Sequence, residues 1–181
     1  LYARYADRVA SFFGRKTSAD VPDLVQRTFL KLFEAAKAGV EIGRVDAMLF
    51  TIARNELYDS FRRARREGDP FDPDAMTLED QATRASQLLA RREEQTLLLQ
   101  ALRRLPLDDQ LALELYYWEE LPMEEVARVL GATKSAAINR VHRARGALKA
   151  VLERLEARPE LVRETISDLE GWAKSLKDLA K

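Results

Sequence analysis

Ser135, Ile138, Asn139, His142 and Arg143 recur at three- and four-residue spacing, so on a helix they share one face. Polar, hydrogen-bonding side chains near the start of a helix can read base edges in a DNA major groove, asparagine being suited to adenine and arginine to guanine. These residues lie in a basic block, Val126 to Leu152, that holds no Asp or Glu but contains Arg128, Lys134, Arg140, Arg143, Arg145 and Lys149. A second basic run, Arg62, Arg63, Ala64, Arg65 and Arg66, stands directly before an acidic stretch. That stretch carries Glu67, Asp69, Asp72, Asp74, Glu79 and Asp80 and no basic residue. Over the whole chain 30 Lys and Arg balance 30 Asp and Glu. A net charge of zero speaks against nucleic acid, but the separation of charge into blocks matters more than the sum.

Other chemistries find little to work with. The chain has no cysteine, which excludes disulfides, thiolate nucleophiles and cysteine zinc sites and is compatible with a reducing cytosol. His142 is the single histidine, so no multi-histidine metal set can form, and Glu124 and Glu125, adjacent in sequence, diverge on a helix. No glycine-rich phosphate loop occurs. We therefore expect no catalytic residue, metal, cofactor or small-molecule substrate. No apolar run reaches the roughly 20 residues that span a bilayer, and the charged stretch Tyr2 to Arg8 does not read as a secretory signal. The expectation is a soluble, cytoplasmic protein without membrane insertion.

The elements that must position these side chains are helical almost throughout, and the fold class expected is all-α. Leu24, Val25, Thr28, Phe29, Leu32 and Phe33 form one amphipathic pattern, Leu49, Ile52, Ala53 and Leu57 another, and Tyr2 to Phe13 a third. Asp20, followed by Pro22 and Asp23, reads as a helix cap with a first-turn proline and an acid at the positive end. Gly68, Pro70 and Pro73 within the acidic stretch mark a flexible linker. Further on, Pro122 opens a short helix, Met123 to Leu130, that Gly131 ends, and a longer helix begins near Lys134 or Ser135: the spacing of a helix-turn-helix. Val126, Ala127, Leu130, Ala137, Val141, Ala144 and Leu148 supply its inner face. The same spacing also suits a short helical hairpin in a bundle with a solvated basic face. In a chain of 181 residues two small domains fit. We place them at residues 1–66 and, as a four-helix domain, at 89–155, with the linker at 67–88 and a C-terminal extension at 156–181.

At this point the residues resemble a known family over nearly the whole chain up to about residue 155. Asp20 to Phe33, DVPDLVQRTFLKLF, is similar to the polymerase-docking segment of the sigma-70 superfamily, and Leu49 to Arg66, LFTIARNELYDSFRRARR, to its minus-ten recognition helix. Leu102 to Pro106, LRRLP, and Leu121 to Leu148, LPMEEVARVLGATKSAAINRVHRARGAL, resemble the domain that reads the minus-thirty-five element. The connection from Glu67 to about Leu88 is too short for the extra domain of housekeeping members, which favours the extracytoplasmic-function (ECF) group. The resemblance implies a sigma factor that binds core RNA polymerase and promoter DNA, and an anti-sigma factor or other regulator as a further partner. It places Asp20, Asp23, Gln26, Arg27 and Lys31 on polymerase. It places Asn55, Tyr58, Asp59, Arg62, Arg63, Arg65 and Arg66 at the opening promoter, where arginines hold phosphates and aromatic or amide groups take an unstacked base. One of Tyr58 and Phe61 is alternatively core. Lys134, Ser135, Asn139, Arg140, His142 and Arg143 fall to the minus-thirty-five element, and the loop from Ala38 to Asp46 resembles the family's flipped-base pocket.

The chain departs from the family pattern in places. Pro22 stands where an acid is common and Met48 where a tryptophan is. At the start of the recognition helix the family's usual Gly-Thr-Val-Lys-Ser-Arg is Ser135 to Arg140 here, with Ile138 in place of a base, which implies an altered promoter element or a weaker grip. The chain opens at Leu1, and a preceding segment is expected. Beyond Arg158 and Pro159, the residues Leu161, Val162, Thr165, Ile166, Leu169, Trp172, Ala173, Leu176 and Leu179 outline an amphipathic helix. It either completes the second core or docks reversibly as a regulator. The rival overall reading is a helix-turn-helix regulator that binds DNA as a dimer without polymerase; a third is a partner-binding helical module with solvated basic faces.

Overall fold

The computed structural model describes residues 1–17, 19–65, 71–78, 93–155, 159–169 and 171. Arg66, four of the six acids of the acidic stretch (Glu67, Asp69, Glu79 and Asp80), and the tail residues Trp172, Ala173, Leu176 and Leu179 lie outside them. Among the described residues the secondary structure is helical throughout, with no strand.

Three helices form the first half: α1 (Tyr2–Gly14), α2 (Val21–Lys37) and α3 (Val45–Ala64), each packed on the other two. The start of α2 is set as its sequence suggests. Asp20 Oδ1 accepts from the Asp23 amide at 3.1 Å and Pro22 occupies the first turn, where its missing N–H costs no helical bond. Val9, Phe12, Phe13, Leu24, Leu32, Leu49, Phe50 and Leu57 are fully buried between the three helices. Each contributes about 1.5–3 kcal/mol by leaving water.

The second half comprises α4 (Glu93–Arg103), α5 (Leu107–Leu113), α6 (Met123–Leu130) and α7 (Lys134–Leu155) around Leu98, Leu105, Leu107, Leu111, Trp118, Val126, Ala137, Ala144 and Leu148. At its end α5 widens into a π-helical turn, Glu114–Trp118, closed by bonds such as that from the Glu119 amide to the Glu114 carbonyl at 2.9 Å. Such insertions are rare and often lie at functional positions. This one stands beside the Glu114 and Glu119 carboxylates, which face α1. A last helix, α8 (Pro159–Ser167), packs on α7 and buries Val162 and Thr165, with Leu169 just beyond it.

Two features differ from the sequence expectation. The halves are packed together, α3 lying on α6, and residues 71–78 are no free tether. Met76 and Leu78 are buried, the Leu107 amide donates to the Met76 carbonyl at 2.8 Å, and the Leu78 amide donates to the Arg103 carbonyl at 2.9 Å. Proline and acidic residues marked this segment as solvent-loving, but its apolar residues, Phe71, Met76 and Leu78, are spaced to reach a core on either side.

Candidate nucleic-acid interface

The turn between α6 and α7 is specified locally. Gly131 adopts φ 66°, ψ 33°, the left-handed conformation that ends a helix and that glycine takes without penalty. Thr133 Oγ1 then accepts from the Ala136 amide at 3.2 Å and caps α7. Every residue assigned to the inner face, Val126, Ala127, Leu130, Ala137, Val141, Ala144 and Leu148, is buried. Ser135, Ile138, Asn139, His142 and Arg143 are all exposed, so one side of α7 stands open to a groove. Lys134, also exposed, pairs with Glu124 across the turn.

Arg140 is turned away from that open face. Its Nη1 lies 2.5 Å from Asp74, 3.3 Å from Asp109 and 3.8 Å from Asp108, and its side chain is only 20% exposed. Arg143 reaches Asp109 at 3.3 Å yet stays 66% exposed. The hydrogen bond from Arg140 holds the Asp74 carboxyl below its ordinary value, and the same bond raises Arg140. Burial pushes Asp108 up, against the pull of Arg54 and Arg140.

On α3, Asn55, Arg62, Arg63 and Arg65 are exposed, and Asp59 is half-buried and paired with Arg62 at 2.8 Å. Both Tyr58 and Phe61 are buried, where one was expected to be core. Tyr58 donates its hydroxyl to Asp108 of the second half, Arg54 lies 4.5 Å over its ring, and Phe71 packs on its edge at 5.1 Å. A tyrosine placed by the sequence at the opening promoter is thus covered by the other half of the molecule. In the loop before α3, Gly39 takes φ 74°, and Arg44 clamps Asp46 with bonds of 3.0 and 2.6 Å. The hydrogen bond from Arg44 holds the Asp46 carboxyl down.

The outward side of α2 carries Asp23, Gln26 and Lys31, all exposed, and Arg27, half-buried. Asp20 beside them is engaged in capping. Arg27 pairs with Asp23 at 3.2 Å and with Glu56 of α3 at 3.3 Å, and Lys31 also pairs with Glu56, which is 2% exposed. These two cations therefore tie α2 to α3 as well as facing outward. Phe33, counted with the buried stripe from its spacing, is 45% exposed, and Leu30 is 55% exposed. The face of α2 that α3 covers ends at Leu32. Asp23, Gln26, Leu30 and Phe33 consequently form one exposed strip at helical spacing.

Sequence reasoning missed a buried charge cluster between the halves. Glu114 accepts from Lys16 Nζ at 2.5 Å and from Arg15 Nη2 at 3.1 Å, and Arg8 pairs with Glu119 at 2.8 Å. Lys16 and Glu114 are 2% exposed each. Burial pushes the Lys16 amine down to about 8, although Glu114 pulls it up. Burial alone would raise Glu114, but the charges of Lys16 and Arg15 outweigh it and hold the carboxyl below its ordinary value. The one sequence signal was Glu114 within the otherwise apolar run Leu111 to Trp118, an acid placed where only a partner makes burial tolerable.

Fold and site together define a class: an all-helical protein whose helix-turn-helix presents an open, hydrogen-bonding face and whose other half carries a basic helix end. Residues 1–67 match the family model Sigma-70 region 2, and residues 95–148 match that of Sigma-70, region 4. The RNA polymerase sigma factor SigZ of Bacillus subtilis is 29% identical over 133 residues, covering 74% of this chain and 73% of that protein. The ECF RNA polymerase sigma-E factor of Salmonella typhimurium is 27% identical over 157 residues, 82% of each chain. In fold the chain is similar to the sigma factor RpoE of Bartonella quintana, solved in complex with the anti-sigma factor NepR. The TM-score is 0.61 and the identity 24%, over 84% of this chain and 94% of that one. The chain belongs to the sigma-70 family, in its ECF group.

Proposed function

We propose that this sigma factor binds core RNA polymerase through the exposed strip of α2, opens the minus-ten element with the end of α3 and reads the minus-thirty-five element with α7. It acts by binding and positioning, not by catalysis, and works in the cytoplasm, where the polymerase is. The observation that carries this reading is the open face of α7, with Asn139, His142 and Arg143 exposed on a helix-turn-helix within the region 4 match. The four arginines expected at the minus-ten element include Arg62, Arg63 and Arg65, all exposed at the end of α3 within the region 2 match. An anti-sigma factor is a fitting further partner, since a protein of the same fold was solved with one. The polymerase-independent regulator is not favoured, because regions 2 and 4 both match, in order.

Transcription in vitro with core polymerase on a randomised promoter library tests this. Asn139→Ala or Arg143→Ala should cost on the order of 1–3 kcal/mol at particular upstream bases and relax preference there, while Arg62→Ala or Arg65→Ala should weaken binding or melting uniformly. Exchange of Asp23 for arginine should weaken holoenzyme assembly in a pull-down. No base-specific change for either α7 variant would remove α7 from the groove, and tight binding to a palindrome without polymerase would favour the regulator.

A further inference from the structure

We propose that Ile138 is a specificity-determining residue that reads the C5-methyl group of a thymine in the minus-thirty-five element, close to an adenine read by Asn139. This role rests on the assignment of α7 to that element.

Ile138 is 45% exposed, and among the described residues it is the one exposed large apolar side chain of the second half. Its companions on the outer face of α7, Ser135, Asn139, His142 and Arg143, are exposed as well, and each of them can make hydrogen bonds. Isoleucine has no donor, no acceptor and no charge. It can neither pair with a base edge nor hold a phosphate. The major groove offers such a side chain one apolar group that differs between bases, the thymine methyl, which adenine, guanine and cytosine lack. An isoleucine turned to the groove therefore favours a thymine at its own position and gains little from the other bases.

The helix holds that side chain in a fixed place. Ala137 and Val141, which flank it in sequence, are 0% and 6% exposed, so α7 is seated on the second core through its inner face. A β-branched side chain in a helix keeps one strongly preferred χ1 rotamer, and little side-chain freedom is lost when it meets a methyl group. Consecutive Cα atoms lie about 3.8 Å apart, close to the roughly 3.4 Å rise of one base pair. Ile138 and Asn139 accordingly reach neighbouring steps of the groove, and the thymine and the adenine they select lie within about two base pairs of each other.

Base analogues separate the methyl group from everything else a thymine offers. A promoter recovered with wild-type holoenzyme from a randomised library is made with each upstream thymine exchanged in turn for deoxyuridine, which loses the methyl and keeps every hydrogen-bonding group. One such exchange, near the adenine whose preference Asn139→Ala abolishes, should lower wild-type holoenzyme affinity about fourfold, the worth of one methyl group taken out of water. In holoenzyme made with Ile138→Ala the same exchange should change nothing, and library selection should lose its thymine at that position while keeping the adenine. Ile138→Ala alters an exposed helical position and puts in a better helix former, so the variant should fold and melt as the wild type does. No deoxyuridine effect in the wild type, or one that persists in full in Ile138→Ala, would overturn the assignment of Ile138, while base-specific losses in Asn139→Ala would still leave α7 in the groove. If Asn139→Ala and Arg143→Ala alter no base preference either, the placement of α7 itself falls, and Ile138 with it.

Discussion

Glu114 shows how a single side chain commits the two halves to each other. It sits with Lys16 and Arg15 in an environment almost free of water, the Lys16 side chain being 0% exposed. Removing one member of such a cluster leaves the others charged and uncompensated. Glu114→Gln, close in shape, should therefore cost about 3–5 kcal/mol in urea denaturation at neutral pH. The folded Glu114 carboxyl lies below its ordinary value of 4.5. A depressed carboxyl contributes stability that is present above pH 4.5 and lost as the pH falls through the folded value, so the gap between wild type and Glu114→Gln should narrow below pH 4.5. A gap that stays constant into acid would mean that Glu114 is not ionised in the folded protein. The outer face of α7 was legible residue by residue, because exposure there follows from helical periodicity and one local turn. The positions of Tyr58 and Arg140 were not, because both depend on carboxylates from α5 or from residues 71–78, distant in sequence.

The helix termini carry their instructions in the sequence. Asp20 bonds the Asp23 amide and Gly131 takes the left-handed turn, so each boundary rests on one residue. Asp20→Ala should lower stability by about 0.5–2 kcal/mol, read as a shift of the denaturation midpoint without change of slope. Gly131→Ala strains a positive φ although nothing crowds the site within 4 Å, so its cost should be backbone strain of about 1–2 kcal/mol and not a packing loss. Equal stability of both variants with wild type would mean that packing alone defines these ends. The element that escaped the sequence reading is the π-helical turn Glu114–Trp118. Periodicity cannot register one extra residue in a single turn, and the turn stands where Glu114 pairs with Arg15 and Lys16, just after α1, and Glu119 with Arg8 of α1. The exposed Phe33 escaped for a related reason: spacing defines a stripe, and only the neighbouring helix decides how wide a stripe it covers.

At the scale of the molecule, α8 adds a cover to α7. Val162 and Leu169 are 3% and 2% exposed, and Arg145 Nη2 donates to the Ile166 carbonyl at 3.0 Å. Deleting residues 159–181 should uncover that part of α7 and lower the melting temperature and transcription together, with burial of the two side chains worth about 3–6 kcal/mol. An intact melting temperature with altered transcription would assign the extension a regulatory role instead. The sequence by itself determined the all-helical class, the caps, the helix-turn-helix and the family, because these rest on interactions within about four residues or on motifs that local geometry demands. Tertiary structure alone decided that the halves close on each other, that Glu114 and Lys16 are buried together, and that residues 71–78 of the acidic connection pack against both α3 and α7. Those outcomes follow from contacts between residues far apart in sequence, such as Arg8 and Glu119, 111 positions apart. Whether a charge is solvated or buried there depends on which surface arrives opposite it.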